Sequence, residues 1–212
     1  MRARRTLGLV LGLLGLAGCI REAEPIDDGR YDPELGNLFE GPLVLSDQRV
    51  LEMRGAQLPA TPAPCDEPQL VVITNIVDGD TVDAVRVSDG QDRRLRLIGV
   101  DTPETPKLDA GSGEITPGEC YGDEAYAFTE LLRGRHVWIT YDAECQDSTP
   151  QMRDLVYLWV GPGPGDMWNR QLVRRGLADT LTIEPNSSFA PLLEQDRAVA
   201  SSEGSGLWSA CE

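Results

Sequence analysis

Leu70-Val71-Val72-Ile73-Thr74-Asn75-Ile76-Val77-Asp78-Gly79-Asp80-Thr81 and Arg96-Leu97-Ile98-Gly99-Val100-Asp101-Thr102-Pro103-Glu104-Thr105 are the stretches on which the reading of this chain turns. The first is a β-branched run broken by Asp-Gly-Asp, which reads as a strand entering a tight turn. Thr81 to Val87 resumes the run, Asp89-Gly90 marks a hairpin turn, and Arg93 to Val100 alternates until Gly99 breaks it. Further on, Glu119 to Leu132 has helical spacing, with Tyr121, Ala125, Phe128, Leu131 and Leu132 on one face and Gly134 as the stop. Val137 to Tyr141 and Leu155 to Val160 read as two more strands. Met167 to Arg175 reads as a short helix ended by Gly176. Ser187 or Ser188 is placed to cap a last helix running through Ala200. Three strands, a helix, two strands and two helices predict a small barrel with helices packed on it.

The same stretches concentrate acidic groups. Asp78, Asp80, Asp101 and Glu104 are brought toward Arg96 by two strands and two turns. Carboxylate oxygens are hard donors suited to Ca²⁺ or Mg²⁺. Asp80 and Asp101 are the candidate metal ligands, and Asp78 stands close enough to Asp80 to contribute through a water. Two carboxylates and a backbone carbonyl leave several of the roughly six to eight Ca²⁺ positions for water and substrate, so a Kd of about 10⁻⁴ to 10⁻³ M is expected. Glu104, stiffened by Pro103, is a candidate general base. Arg96 is a candidate phosphate fork. Taken alone, Asp-Gly-Asp is also a plain loop and Glu104 a solvated carboxylate. Strict alternation puts Arg96 and Asp101 on opposite faces, so the constellation requires a break at Gly99; a β-bulge there is the expectation. His136 is the only histidine and no Cys-x-x-Cys pair exists, which argues against zinc and against chemistry needing paired histidines.

The ends of the chain read differently. Met1-Arg2-Ala3-Arg4-Arg5 followed by the apolar run Thr6 to Ala17 fits an export signal, too short for the roughly 20 residues of a bilayer span. Leu16-Ala17-Gly18-Cys19 resembles a bacterial lipobox, with Cys19 as the lipidated residue; Ile20 after it favours the outer membrane. The expected organisation is a signal at 1–18, an acidic, Pro/Gly-punctuated tether at 19–64 and a folded domain at 65–212. Within the tether, Leu43 to Met53 is apolar enough to dock. The formal charge of −16 becomes −19 once Arg2, Arg4 and Arg5 are removed. Such a chain binds nucleic acid poorly by charge alone, because phosphate affinity comes from Lys and Arg. Excluding Cys19, the cysteines are Cys65, Cys120, Cys145 and Cys211. In an exported chain an even set predicts two disulfides. Of three pairings, Cys65–Cys211 and Cys120–Cys145 are the expected ones, tying the ends of the domain and closing a local loop.

Taken together these residues resemble the thermonuclease (staphylococcal nuclease-like) family over about residues 69–209. The matching pieces are Ile76 to Val82, Leu95 to Thr105, Cys120 to Ala125, Arg153 with Leu155 and Tyr157, Leu172 to Ala178 and Gly206 to Ser209. The resemblance implies an OB-type five-stranded barrel with three helices, a mainly β (α+β) protein. It implies a monomeric hydrolase that uses one Ca²⁺ to cleave DNA and RNA, single strands preferred, leaving 3′-phosphates. Asp80, Asp101 and the carbonyl of Thr102 match the family's metal ligands, Glu104 its proposed base, and Arg96 and Arg153 its phosphate-binding arginines. Departures bear on substrate affinity and base preference. Asp147 to Met152 lacks a lysine–tyrosine pair, Thr180 to Ile183 lacks tyrosines, and Lys107 is the only lysine. The acidic charge and missing tyrosines keep two rivals open: a non-catalytic OB-fold binding module, and a structural lipoprotein stabilised by calcium.

Overall fold

The computed structural model describes residues 43–108, 111 and 113–211. The basic N-terminal residues, the apolar run and Cys19 lie outside the described residues. Five strands close a barrel: β1 (Gln69–Asp78), β2 (Thr81–Arg86), β3 (Asp92–Leu97), β6 (His136–Thr140) and β7 (Asp154–Trp159), in the order β1-β2-β3-β7-β6. Two-residue strands β4 (Lys107–Leu108) and β5 (Ile115–Thr116) form a separate ribbon. The helices are α1 (Asp47–Glu52), α2 (Gly122–Glu130), α3 (Trp168–Arg174), α4 (Ala190–Glu203) and α5 (Leu207–Ala210).

Closure depends on β1. Its first half pairs with β6, Gln69 opposite Ile139, while most of its length pairs with β2. Register shifts between Ile73 and Asn75 and between Ile76 and Asp78 let one strand serve both neighbours by coiling it. The remaining seam is parallel: β3 pairs with β7, Arg96 opposite Leu155, and a parallel pair needs a long crossover. The ribbon, α2 and β6 lie in that crossover.

Alternate residues of the strands fill the barrel: Val71, Ile73, Val82, Ala84, Leu95, Leu97, Val137, Ile139, Val156 and Leu158 are all buried. Helix α2 adds Ala125 and Phe128, and Leu132 follows it; α3 adds Trp168, Leu172 and Val173, with the Phe128 and Trp168 rings stacked at 4.3 Å. Each such side chain contributes about 1.5–3 kcal/mol by leaving water. All six residues of β7 are buried, because Leu155, Tyr157 and Trp159 face a second cluster outside the barrel with Ile98 and Met167. Burial on both faces explains why this strand reads as an unbroken apolar run.

The second cluster also takes Met53 and Leu58. Part of the expected tether thus packs on the barrel, Met53 and Leu58 in this cluster and Leu43 and Leu45 against the barrel core. Ser46 caps α1, Val50 is buried, and its carbonyl accepts Trp138 Nε1–H at 3.1 Å. Arg49 pairs with Asp166 at 2.7 Å, and His136 Nδ1 lies 3.0 Å from Asp47 Oδ2, which gives the only histidine a structural role.

Two expectations are corrected. The disulfides are Cys65–Cys145 and Cys120–Cys211, not Cys65–Cys211 and Cys120–Cys145. Antiparallel pairing sets the start of β1 beside the end of β6, so Cys65 and Cys145, just outside those ends, meet; Cys65 N–H donates to the Asp142 carbonyl at 2.7 Å. The helix running through Ala200, α4, is not the last, since α5 follows it, and it is not capped by a serine. It starts at Ala190 with Phe189 as its N-cap, and the Ser188 hydroxyl and N–H instead reach the buried Asp142 carboxylate at 2.8 and 2.9 Å. Tyr157 donates to the same carboxylate at 2.9 Å.

Candidate active site

Asp78 to Thr81 is the turn between β1 and β2. Helix α2 fixes it, with Thr129 Oγ1 donating to the Gly79 carbonyl at 2.7 Å. A Cβ at Gly79 would stand 2.8 Å from Thr102, so only glycine lets the turn meet the Thr102 loop. Asp80 is buried between them. Its carboxylate accepts Thr81 Oγ1–H at 3.0 Å, Thr102 N–H at 3.1 Å and an ion pair with Arg96 Nη1 at 2.7 Å.

Arg96 lies opposite Thr81 in the β2–β3 ladder and points out of the barrel while Leu95 and Leu97 point in. Nη1 also donates to the Leu97 carbonyl at 2.9 Å, and Nη2 reaches Asp101 Oδ1 at 3.3 Å. These contacts use three of the five guanidinium N–H groups. Nε–H and the second Nη2–H share the remaining edge, which has the geometry for a bidentate phosphate.

The break at Gly99 is a turn that ends the strand, not a bulge within it. β3 stops at Leu97, Ile98 N–H donates to the Val156 carbonyl at 3.0 Å, and Gly99 takes φ +80°. Asp101 then exchanges two backbone hydrogen bonds with Asp179, each 2.9 Å. The chain thus leaves the sheet and returns Asp101 to Arg96. A Cβ at Gly99 would overlap Leu193 Cδ1 of α4. Gly99→Ala is expected to cost about 1–2 kcal/mol for the left-handed backbone alone, read as a lower urea midpoint at unchanged m-value.

Glu104 is pinned at its backbone by Glu119: its N–H donates to Glu119 Oε2 at 3.0 Å and its carbonyl accepts Glu119 N–H at 2.8 Å. Its half-exposed carboxylate contacts Lys107, whose Nζ lies 3.1 Å from Asp78 Oδ2. The two cations are thus distributed: Arg96 bridges Asp80 and Asp101, and Lys107 bridges Asp78 and Glu104. Burial, then the Glu104 carboxyl beside it, pushes Asp78 up to about 6, with Lys107 opposing. The shared hydrogen bond with Asp78 and then Lys107 hold Glu104 below its usual range. Asp101 is raised, first by burial and also by Asp80, Glu104 and Glu119, while Arg96 opposes.

Arg153 stands apart from this group. It immediately precedes β7, two residues before Leu155, which pairs with Arg96 across the β3–β7 seam. Its Nε donates to Asp147 Oδ2 at 2.6 Å and its N–H to Asp147 Oδ1 at 3.1 Å. Sequence reasoning passed over Asp147, Glu119 and Asp179, and gave Lys107 no place in the site. Only Lys107 carried a signal, its position three residues after Glu104.

A closed five-stranded barrel with carboxylates and a buried arginine gathered at the β1–β2 turn and the exit of β3 defines a small OB-fold hydrolase. The staphylococcal nuclease homologue family matches residues 94–210, and the chain belongs to it. Thermonuclease of Staphylococcus intermedius is 37% identical over 138 residues, 65% of this chain and 74% of the relative. Thermonuclease of Staphylococcus hyicus is 34% identical over 142 residues, 66% and 76%. Endonuclease YncB of Bacillus subtilis (strain 168) is 27% identical over 161 residues, 72% and 69%.

Proposed function

We propose that this chain, a nuclease by its family, is a calcium-dependent enzyme that hydrolyses phosphodiester bonds of DNA and RNA outside the cytoplasm, leaving 3′-phosphates. The observation that carries the reading is the single guanidinium of Arg96 bridging Asp80 and Asp101 beside Glu104. The donor set fits Ca²⁺. Asp80, Asp101 and the Thr102 carbonyl are hard oxygens, desolvation and then like charges disfavour the Asp101 anion against the pull of Arg96, and Thr102 Oγ1 is buried with no hydrogen-bond partner among the described residues. Among those residues no cluster of three or more acidic, His or Cys ligands is preassembled, so water and substrate complete the shell and weak binding is expected.

Bound there, Ca²⁺ supplies Lewis-acid polarisation of the phosphate. The donors of Arg96 left unused by Asp80, Asp101 and Leu97 grip the phosphate and offset charge developing on its oxygens; Arg153 adds a second grip. Glu104 takes the proton of the attacking water. Export is supported by the basic and apolar N-terminal residues and by two disulfides, which persist in oxidising compartments. The lipobox-like Cys19 supports an anchor in the outer membrane, with the enzyme acting as a monomer. Cleavage of single-stranded DNA by the purified protein is expected to need millimolar Ca²⁺ and to vanish with excess chelator. Activity unchanged in chelator would remove the metal from the reading, and no turnover with any divalent ion would favour a binding role.

A further inference from the structure

Lys107 is the only lysine in the chain, and it sits inside the acidic group. Its backbone is held in the ribbon, paired with Thr116. Its ammonium touches Glu104 and lies 3.1 Å from Asp78 Oδ2. Asp78 is itself fixed, buried and accepting Gly79 N–H at 3.0 Å. Glu104 is fixed at its backbone by Glu119, and its carboxyl is left to the contacts with Lys107 and Asp78. A half-exposed glutamate carboxylate that loses a partner samples more rotamers, and ordering it costs side-chain entropy. An ammonium suits the task better than a guanidinium, since its three donors point in separate directions and can bridge two carboxylates not coplanar with each other.

We propose that Lys107 is a positioning residue for Glu104: anchored on Asp78, it holds the Glu104 carboxylate in one orientation beside Asp80, Arg96 and Asp101. The proposal rests on the reading of Glu104 as the general base. The exposed pair with Glu104 contributes little to stability, whereas the pair with buried Asp78 contributes more, so removing the lysine frees the Glu104 carboxylate at some cost in melting temperature. Misplacement of a base by a rotamer changes the rate of the chemical step and not the binding of substrate.

The test uses four variants of the full chain, Lys107→Ala, Lys107→Arg, Glu104→Gln and the Lys107→Ala/Glu104→Gln pair, assayed on a single-stranded DNA oligonucleotide at saturating Ca²⁺. Lys107→Ala, assayed well below its melting temperature, is expected to lower kcat about 10-fold with KM within about twofold of the parent. Lys107→Arg should recover part of the rate. Glu104→Gln should lower kcat by about 10²-fold or more. In that background Lys107→Ala should cost nothing further, since a residue acting through Glu104 has nothing left to position. A parental kcat in Lys107→Ala overturns the proposal, as does a rise in KM at constant kcat, which would make Lys107 a substrate contact. A further loss in the pair overturns it too. A full rate in Glu104→Gln is a different failure: it removes the base, and the lysine's role falls with it.

Discussion

Arg96→Ala is expected to lower kcat at least about 10²-fold, the scale set by loss of one preorganised charge contact in a transition state. It should also cost about 3–5 kcal/mol of stability. The second figure comes from the asymmetry of the two ion pairs. Asp101 is well exposed, its side chain keeping 59% of its accessible surface, so losing that pair costs little. Asp80 keeps 10%, and without Arg96 the Thr81 hydroxyl and the Thr102 N–H are what remains on its carboxylate among the described residues. An uncompensated buried charge is the expensive result. For a protein of this size the melting temperature should fall by about 10 °C.

Activity and stability have to be separated, because a partly unfolded enzyme also loses rate. Assays well below the variant's melting point do this, and so does Arg96→Lys. A lysine restores the charge beside Asp80 but lacks the second edge of the fork. It should recover most of the melting temperature and little of the rate. If Arg96→Ala, folded at the assay temperature, turned over at the parental rate, Arg96 would be a structural counter-ion of Asp80 and no phosphate grip. If Arg96→Lys recovered both, charge alone would be sufficient.

The legibility of this chain follows from the range of the forces involved. Local signals were sound. β-branched and apolar runs gave β1, β2, β6 and β7 and an alternating one gave β3, each within a few residues, and Gly134 and Gly176 stopped the helical stretches at φ +76° and +63°. Part of the site was equally local, since Asp80, Arg96 and Asp101 are brought together by one turn, one hairpin and the break at Gly99. What could not be read depends on which elements become neighbours. The disulfides follow the β1–β6 pairing, which no spacing of cysteines encodes. The parallel β3–β7 seam joins segments with a long crossover between them. Ser188, a sound cap by composition, is drawn to a buried carboxylate at the end of β6. Lys107 looked like a remnant of a depleted lysine content, and only the folded ribbon places it between Asp78 and Glu104.

Removing the Cys120–Cys211 bridge, with both cysteines replaced by serine, is expected to destabilise the protein by about 4–5 kcal/mol in the chain-entropy account. The bridged residues are 91 apart in sequence, and the bridge closes a loop of that length. The other disulfide does not shorten it. Cys65–Cys145 interleaves with Cys120–Cys211, so a path through it from Cys120 to Cys211 is longer than the segment that joins them directly. The full loop entropy is therefore at stake. A loss of kcat should accompany the loss of stability, because the bridge sits beside the site. Cys120 follows Glu119, whose two hydrogen bonds pin the backbone of Glu104. On the other side, α5 is held by Leu207 N–H on the Gly176 carbonyl at 2.8 Å and by Arg197 lying 4.8 Å over the Trp208 ring. Arg197 also pairs with Asp179, whose backbone holds Asp101. The C-terminal helix thus braces both Glu104 and Asp101. Urea unfolding of the double serine variant, followed by kinetics at a temperature where it is fully folded, reads the two effects separately. A stability loss with parental kcat would show that Glu119 and Asp179 hold the loops unaided. A stability change under 1 kcal/mol would mean that the unfolded chain already keeps these ends together, and the entropic account would fail for this bridge.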